Sequence, residues 1–240
     1  MIYVTHDIDW ISPLHPFSIA KAFTHGNKWL SLDKIAQPGI FVKNIYKLIE
    51  FNQANHINAI WLVGAPMLNS YQKKGLRYTF SCKSYRSVVK TLVNQHVKIG
   101  LHSVSSEDIS KQFQALQSLV PSPIKFHRSH YLKFDTNKLF PRLHQHRIDI
   151  DFSLEHTKLI ELPEQPPISY GVNCVPTILF DNYFFFKDAD TAFKQFETTL
   201  QLAKTKHQDV AILFHPENFA VNPKLWQYYK EVLQIAKLMH

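Results

Sequence analysis

The chain has 240 residues, of which 45% are hydrophobic, enough for one large domain with a sizeable core. Its two cysteines, Cys82 and Cys174, have no C-x-x-C spacing, so neither a disulfide framework nor a thiolate zinc site is indicated. The formal charge of +8 would suit an anionic partner, but Lys and Arg are scattered through helical segments and form no stripe, so a nucleic-acid partner is not expected.

A single domain spanning 1–240 is expected, because no linker, charge run or fixed-period repeat divides the sequence. The opening segment, Met1-Ile2-Tyr3-Val4-Thr5-His6-Asp7-Ile8-Asp9, is a β-branched and aromatic run that ends in two carboxylates one residue apart. It has no basic, apolar leader before it and no apolar run is long enough for a membrane span, so a cytoplasmic location is expected. Residues 11–39 have no clear pattern. Phe41, Ile45, Leu48 and Ile49 then recur at helical spacing, and Asn58 to Val63 reads as a strand.

A helix over Tyr85 to Gln95 is followed by a strand over Val97 to His102. Ser105 with Asp108 predicts the start of the next helix, whose buried stripe is Ile109, Phe113, Leu116 and Leu119 before Pro121 and Pro123 end it. Lys125 to His130 reads as a strand and Leu139 to His144 as a short helix, and Ile148 to Phe152 alternates with period two. The chain closes with strands at Thr177 to Phe180 and Val210 to Phe214 and with helices at Ala192 to Lys204 and Lys224 to Leu238. Alternation of this kind predicts an α/β fold, a distorted (β/α) barrel of about seven parallel strands, with an open doubly wound sheet as the rival. No G-x-G-x-x-G or G-x-x-x-x-G-K-[ST] motif follows a strand, which weakens a nucleotide-binding version.

In such a barrel the chemistry gathers at the carboxyl ends of the strands. Asp7 and Asp9, His102, Arg128 to Tyr131, and His215 all stand at those ends. Their shared rim would join acids, imidazoles and a guanidinium, a set that suits a metal-assisted hydrolase. His6 is ambiguous between pocket and core. Trp10 reads as pocket wall or core, and Tyr183 to Phe186 as core. The other ten histidines, His127 among them, read as structural.

The ordered motifs Thr5-His6-Asp7-Ile8-Asp9, Leu101-His102-Ser103, Arg128-Ser129-His130-Tyr131, Asp151-Phe152-Ser153 and Leu213-Phe214-His215 resemble those of the polysaccharide deacetylases of NodB-homology type, carbohydrate esterase family 4. The resemblance implies a hydrolase that removes N-acetyl groups from a carbohydrate with a divalent metal, Zn²⁺ above others. It implies Asp7 as base, oriented by Arg128, His215 as general acid, and the Tyr131 backbone N–H as an oxyanion donor. Asp151 would pair with Arg128 or His215, and Asp9 and His102 would bind metal. Two positions depart from the family pattern: Ser106 stands where a second metal-binding histidine is expected, and His130 replaces a proline. Either His130 becomes the third ligand, completing Asp9, His102 and His130, or the metal site is lost. Two other functions stay open, a haloacid-dehalogenase-like phosphatase with Asp7 as nucleophile and a deacetylase-like module that binds a glycan without turnover.

Overall fold

The computed structural model describes residues 1–11, 37, 39–65, 83–104, 108–132, 136–154, 162, 170–186 and 188–238. Its strands are β1 (Ile2–Ile8), β2 (Ile60–Gly64), β3 (Lys98–Ser103), β4 (Phe126–Ser129), β5 (Ile150–Asp151), β6 (Asn173–Cys174), β7 (Thr177–Phe180) and β8 (Val210–Phe214). The helices are α1 (Ile40–Ala54), α2 (Lys83–Asn94), α3 (Ile109–Gln117), α4 (Thr136–Gln145), α5 (Tyr183–Phe186), α6 (Ala189–Thr205), α7 (Asn218–Val221) and α8 (Leu225–Leu238).

The eight strands form one sheet in the order β6-β5-β4-β3-β2-β1-β8-β7, and every pairing is parallel. That order is cyclic, with the ring opened between β6 and β7. A doubly wound sheet would reverse direction at a switch point, and this one does not. β6 and β7 lie at opposite edges of the sheet, yet only Val175 and Pro176 separate them in sequence. Three residue steps reach about 10 Å at most, so the edges approach each other and the sheet curls into a nearly closed barrel. Pro176, which has no N–H to donate, stands where the segment changes partner from β5 to β8. Counted as one segment, β6 and β7 bring the total to the seven strands expected.

Alternation along the strands separates an inner face from an outer one. Ile60, Leu62, Phe152, Val175 and Ala211 fill the interior, with Tyr3, Phe126 and Ile150 packed against them. The outward residues Ile8, Trp61, Val63, Ile99, Leu101, Ile212 and Phe214 form the larger core with the surrounding helices. Gly100 has a specific reason to be glycine. A Cβ there would lie 2.5 Å from Leu62 Cδ2 and 2.9 Å from the Phe126 carbonyl oxygen, so the interior has no space for a side chain at this level.

Several boundaries differ from the sequence expectations. The short pair β6 and the single-turn helices α5 and α7 have too few residues to show a period. Helix α3 begins at Ile109 after Asp108, which makes no side-chain cap, and Ser105 lies outside the described residues. Helix α6 begins three residues before the expected Ala192, because Asp188 caps it by accepting the Thr191 N–H at 2.8 Å. Phe184 is buried in the main core, and Trp10 packs with Phe41 and Ala220. Among the described residues, no helix is long and apolar enough to cross a membrane.

Candidate active site

Asp7 lies inside β1, paired in register with Leu62, and its side chain points into the barrel along with those of Tyr3 and Thr5. Ile8 turns outward, and Asp9 follows just past the strand end. The period-two alternation therefore gives both acids to the same side. His102 of β3 and Arg128 of β4 are register partners, and His130 opens the 3-10 turn His130–Leu132 that follows β4. Leu132 closes that turn at φ 51°, in the left-handed region that branched side chains seldom enter. His215 follows β8.

Arg128 is fully buried and spans the barrel interior. Its Nη1 donates to Asp7 Oδ1 at 2.7 Å and to Thr5 Oγ1 at 2.9 Å, Nη2 donates to Thr177 Oγ1 at 2.8 Å, and Nε donates to the Phe152 carbonyl at 3.1 Å. Residues from β1, β4, β7 and the end of β5 are thereby tied to one planar group, which holds the Asp7 carboxylate in a fixed orientation.

Above this brace lies a tight triangle of donors. His102 Nε2 is 3.1 Å from Asp9 Oδ1 and 3.0 Å from His130 Nδ1, and His130 Nδ1 is 3.6 Å from Asp9 Oδ1. Asp9 Oδ1 is buried and accepts no hydrogen bond, although it sits this close to both rings. His102 Nδ1–H donates to the Arg128 carbonyl at 3.1 Å, so Nε2 is the ring nitrogen that faces the triangle. The edge of a zinc tetrahedron with bonds of 2.0–2.1 Å is about 3.3 Å, so the three separations match what one cation would need. A cation held by these three residues would keep a fourth position for water, the pattern of catalytic rather than structural sites.

Electrostatics separate the imidazoles. Burial lowers the pKa of His130 to about 4, against the pull of Asp9. Burial also opposes charge on His102, but Asp7 and Asp9 outweigh it and raise the pKa. For Asp9, burial favours the neutral acid, yet His130, His102 and His215 hold the carboxyl well below the usual carboxylate range. His215 has the most defined environment. Its Nδ1–H donates to Asp181 Oδ1 at 2.9 Å, its backbone N–H donates to Asp181 Oδ2 at 2.7 Å, and Asn218 Nδ2 donates to the same oxygen at 3.0 Å. Burial resists the imidazolium, but Asp181 outweighs it and raises the pKa of His215 well above the ordinary value. Its other nitrogen, Nε2, lies 3.9 Å from Asp9 Oδ2.

Six of the expected residues, Asp7, Asp9, His102, Arg128, His130 and His215, meet on the inner rim. Tyr131 lies in the turn beside them, where its backbone follows His130. Asp151 does not join them. It faces the outer side of β5, where it accepts from His127 Nδ1–H at 2.5 Å, and it has no bond to Arg128 or His215. The physical reason is parity: its neighbours Ile150 and Phe152 point into the barrel, so Asp151 must point away. The partner expected for His215 is supplied instead by Asp181, directly after β7. The strand-end rule applied to β7 would have found it. His6 resolves to the outer core, where Nδ1–H donates to the Phe214 carbonyl and Nε2 accepts from Asn52.

Glu217, two residues after His215, is a second acid that the sequence reading missed. It is buried with Oε2 unbonded, and burial together with Asp9 pushes its pKa well above the usual range. Ser106 and Cys82 lie outside the described residues, while Cys174 is a free, buried thiol.

The sequence matches no protein-family model, and no curated protein sequence matches it. The fold itself, a curled barrel of parallel strands, is one found among solved polysaccharide deacetylases. A candidate polysaccharide deacetylase from Mycobacterium smegmatis shares it with a TM-score of 0.57 at 13% identity, over 99% of this chain and 83% of that one. Similar folds are found in a family 4 pseudoenzyme from Bacillus anthracis (TM-score 0.48, 11% identity, 100% of this chain and 65% of that one). A family 4 carbohydrate esterase from Streptomyces lividans, solved with acetate, is also similar (TM-score 0.45, 12% identity, 99% and 88%).

Proposed function

We propose that this chain is a hydrolase that removes an N-acetyl or similar acyl group from a carbohydrate, with Asp9, His102 and His130 holding a divalent cation of the zinc type. The observation that carries the reading is the placement of two charge-paired groups, Asp7 with Arg128 and His215 with Asp181, around one compact donor triangle. The triangle supports His130 as a replacement for the missing second histidine of the family pattern. A cation bound there supplies Lewis acidity and lowers the pKa of a water.

Asp7, fixed by the Arg128 guanidinium, takes a proton from the attacking water. The N–H of Tyr131 offers a donor to the oxyanion that develops on the acyl carbonyl. His215, protonated and oriented through Nδ1 by Asp181, gives its Nε2 proton to the departing amine. Atoms balance: water adds to the carbonyl carbon, the C–N bond breaks, and carboxylate and amine leave.

The cyclic, singly wound strand order argues against the phosphatase alternative. A glycan-binding homologue without turnover is the outcome to separate by experiment. The test is an acetate-release screen over N-acetylated sugars, oligomeric and nucleotide-linked, with Zn²⁺ added back, on the parent chain and on Asp7→Asn. Acetate release that falls by roughly 10²–10⁴ in Asp7→Asn is expected for loss of a general base. Glycan binding with no acetate from the parent chain would reject the hydrolase reading.

A further inference from the structure

The faces of β3, β4 and β5 that turn away from the donor triangle carry a second polar chain. Ser103 Oγ–H donates to His127 Nε2 at 2.7 Å, and His127 Nδ1–H donates to Asp151 Oδ1 at 2.5 Å. Asp151 also accepts from Ser153 Oγ–H at 2.7 Å and from the Ser153 N–H at 3.1 Å, and Ser153 Oγ accepts from the Ser129 N–H at 2.8 Å. The order serine, histidine, aspartate is that of a nucleophile relay. Ser103, His127, Asp151 and Ser153 are all 0% exposed, however, so no substrate reaches the hydroxyl and acyl transfer is not its task.

Such a chain is an expensive way to fill an outer core. Apolar residues would pack there without desolvating a carboxylate, whereas a buried polar network in which each link is satisfied defines one geometry. Its position indicates which geometry. Ser103 follows His102, His127 precedes Arg128, Ser129 stands between Arg128 and His130, and Asp151 precedes Phe152, whose carbonyl holds Arg128. In register, His102 pairs with Arg128, Ser103 with Ser129, and His127 with Asp151. Every outward link therefore fixes the backbone of an inward residue.

The need for this follows from where the donors stand. Two histidines four residues apart on one segment would keep their spacing locally. His102 and His130 come from neighbouring strands, so their 3.0 Å approach depends on how β3 and β4 are held together at their ends. We propose that Ser103, His127, Asp151 and Ser153 are positioning residues that set the separation of His102 and His130 and so the affinity of the Asp9–His102–His130 triangle for a divalent cation. This rests on the cation site proposed above.

The experiment measures Zn²⁺ affinity by competition with a chromophoric chelator, and the visible spectrum of the Co²⁺-loaded protein, for the parent chain and for Ser103→Ala, Ser103→Thr and Asp151→Asn. Circular dichroism and a cooperative melt establish that each unloaded variant is folded. Zn²⁺ binding about 10–100-fold weaker in Ser103→Ala, with altered Co²⁺ bands and recovery in Ser103→Thr, is expected for an outer support of metal ligands. Ser103→Ala removes only the terminal link, so the test stands even where Asp151→Asn does not fold. Folded variants that bind Zn²⁺ as the parent does, with unchanged Co²⁺ bands, overturn the positioning role alone. A parent chain that binds no Zn²⁺ overturns the cation site and this inference together.

Discussion

His6 lies in β1 and His215 directly follows the neighbouring β8, and their pKa values shift in opposite directions. His6 points outward to neutral partners, the Phe214 carbonyl, Asn52 and Tyr229, and burial lowers its pKa to about 4. His215 follows β8 and meets the Asp181 carboxylate, which outweighs burial and raises its pKa. Burial prevails at His6, whose hydrogen-bond partners carry no charge, and is outweighed at His215 by the adjacent Asp181 carboxylate. The outer face uses its polar groups as neutral or internally satisfied struts, whereas the inner face keeps donors directed at a shared space.

The largest effect expected from breaking this contrast is at the inner brace. Arg128→Met leaves Asp7 as an uncompensated buried acid and removes the tie between opposite sides of the barrel. Loss of a buried partner costs about 3–5 kcal/mol, to be read from urea unfolding. A parent-like midpoint would show that the guanidinium does not brace the barrel.

The next effect belongs to the outer face and depends on pH. The unfolded His6 titrates near 6.5 and the folded one near 4, so as pH falls the unfolded chain takes up the proton first. The stability contributed by a neutral His6 is therefore present above pH 6.5 and lost as pH falls toward 4, by up to about 3 kcal/mol. His215 has the opposite sign: its contribution is full below the unfolded pKa and is lost as pH rises through its raised folded value. Unfolding free energies measured at pH 7 and pH 4.5 should differ less in His6→Gln than in the parent chain. Equal differences would mean that His6 is not the group responsible.

Gly100→Ala tests the interior beneath the site, where a Cβ meets Leu62 and the Phe126 backbone. A loss of about 1–3 kcal/mol is expected for overpacking, visible as a lower melting temperature. An unchanged melt would show that β3 can shift outward freely. The narrowest test is Asp181→Asn. Without that carboxylate the His215 pKa falls, so the alkaline limb of the kcat/KM profile should move to lower pH. A limb that stays in place would assign it to another group.

Much of the inner rim was legible in the sequence because one rule, reactive residues at carboxyl ends of parallel strands, selected Asp7, Asp9, His102, Arg128, His130 and His215. Asp181, directly after β7, obeys the same rule. Asp151 does not: its residue type fits the family motif, but the alternation of Ile150 and Phe152 directs it to the outer face. His127, read as structural, pairs with that acid in a network no local pattern announces, since 24 residues separate the two.

The sequence by itself determined the order and type of the main elements and the parity of each strand, because apolar periodicity and alternation depend on neighbours a few residues apart. Only the tertiary structure decided which residues meet across the barrel. Arg128 and Asp7 are 121 residues apart, and their contact exists because the β6–β7 crossover draws the sheet edges together and curls β4 to face β1. Likewise the direction in which a histidine's pKa shifts, down at His6 and up at His215, is set by which groups that closure brings against it.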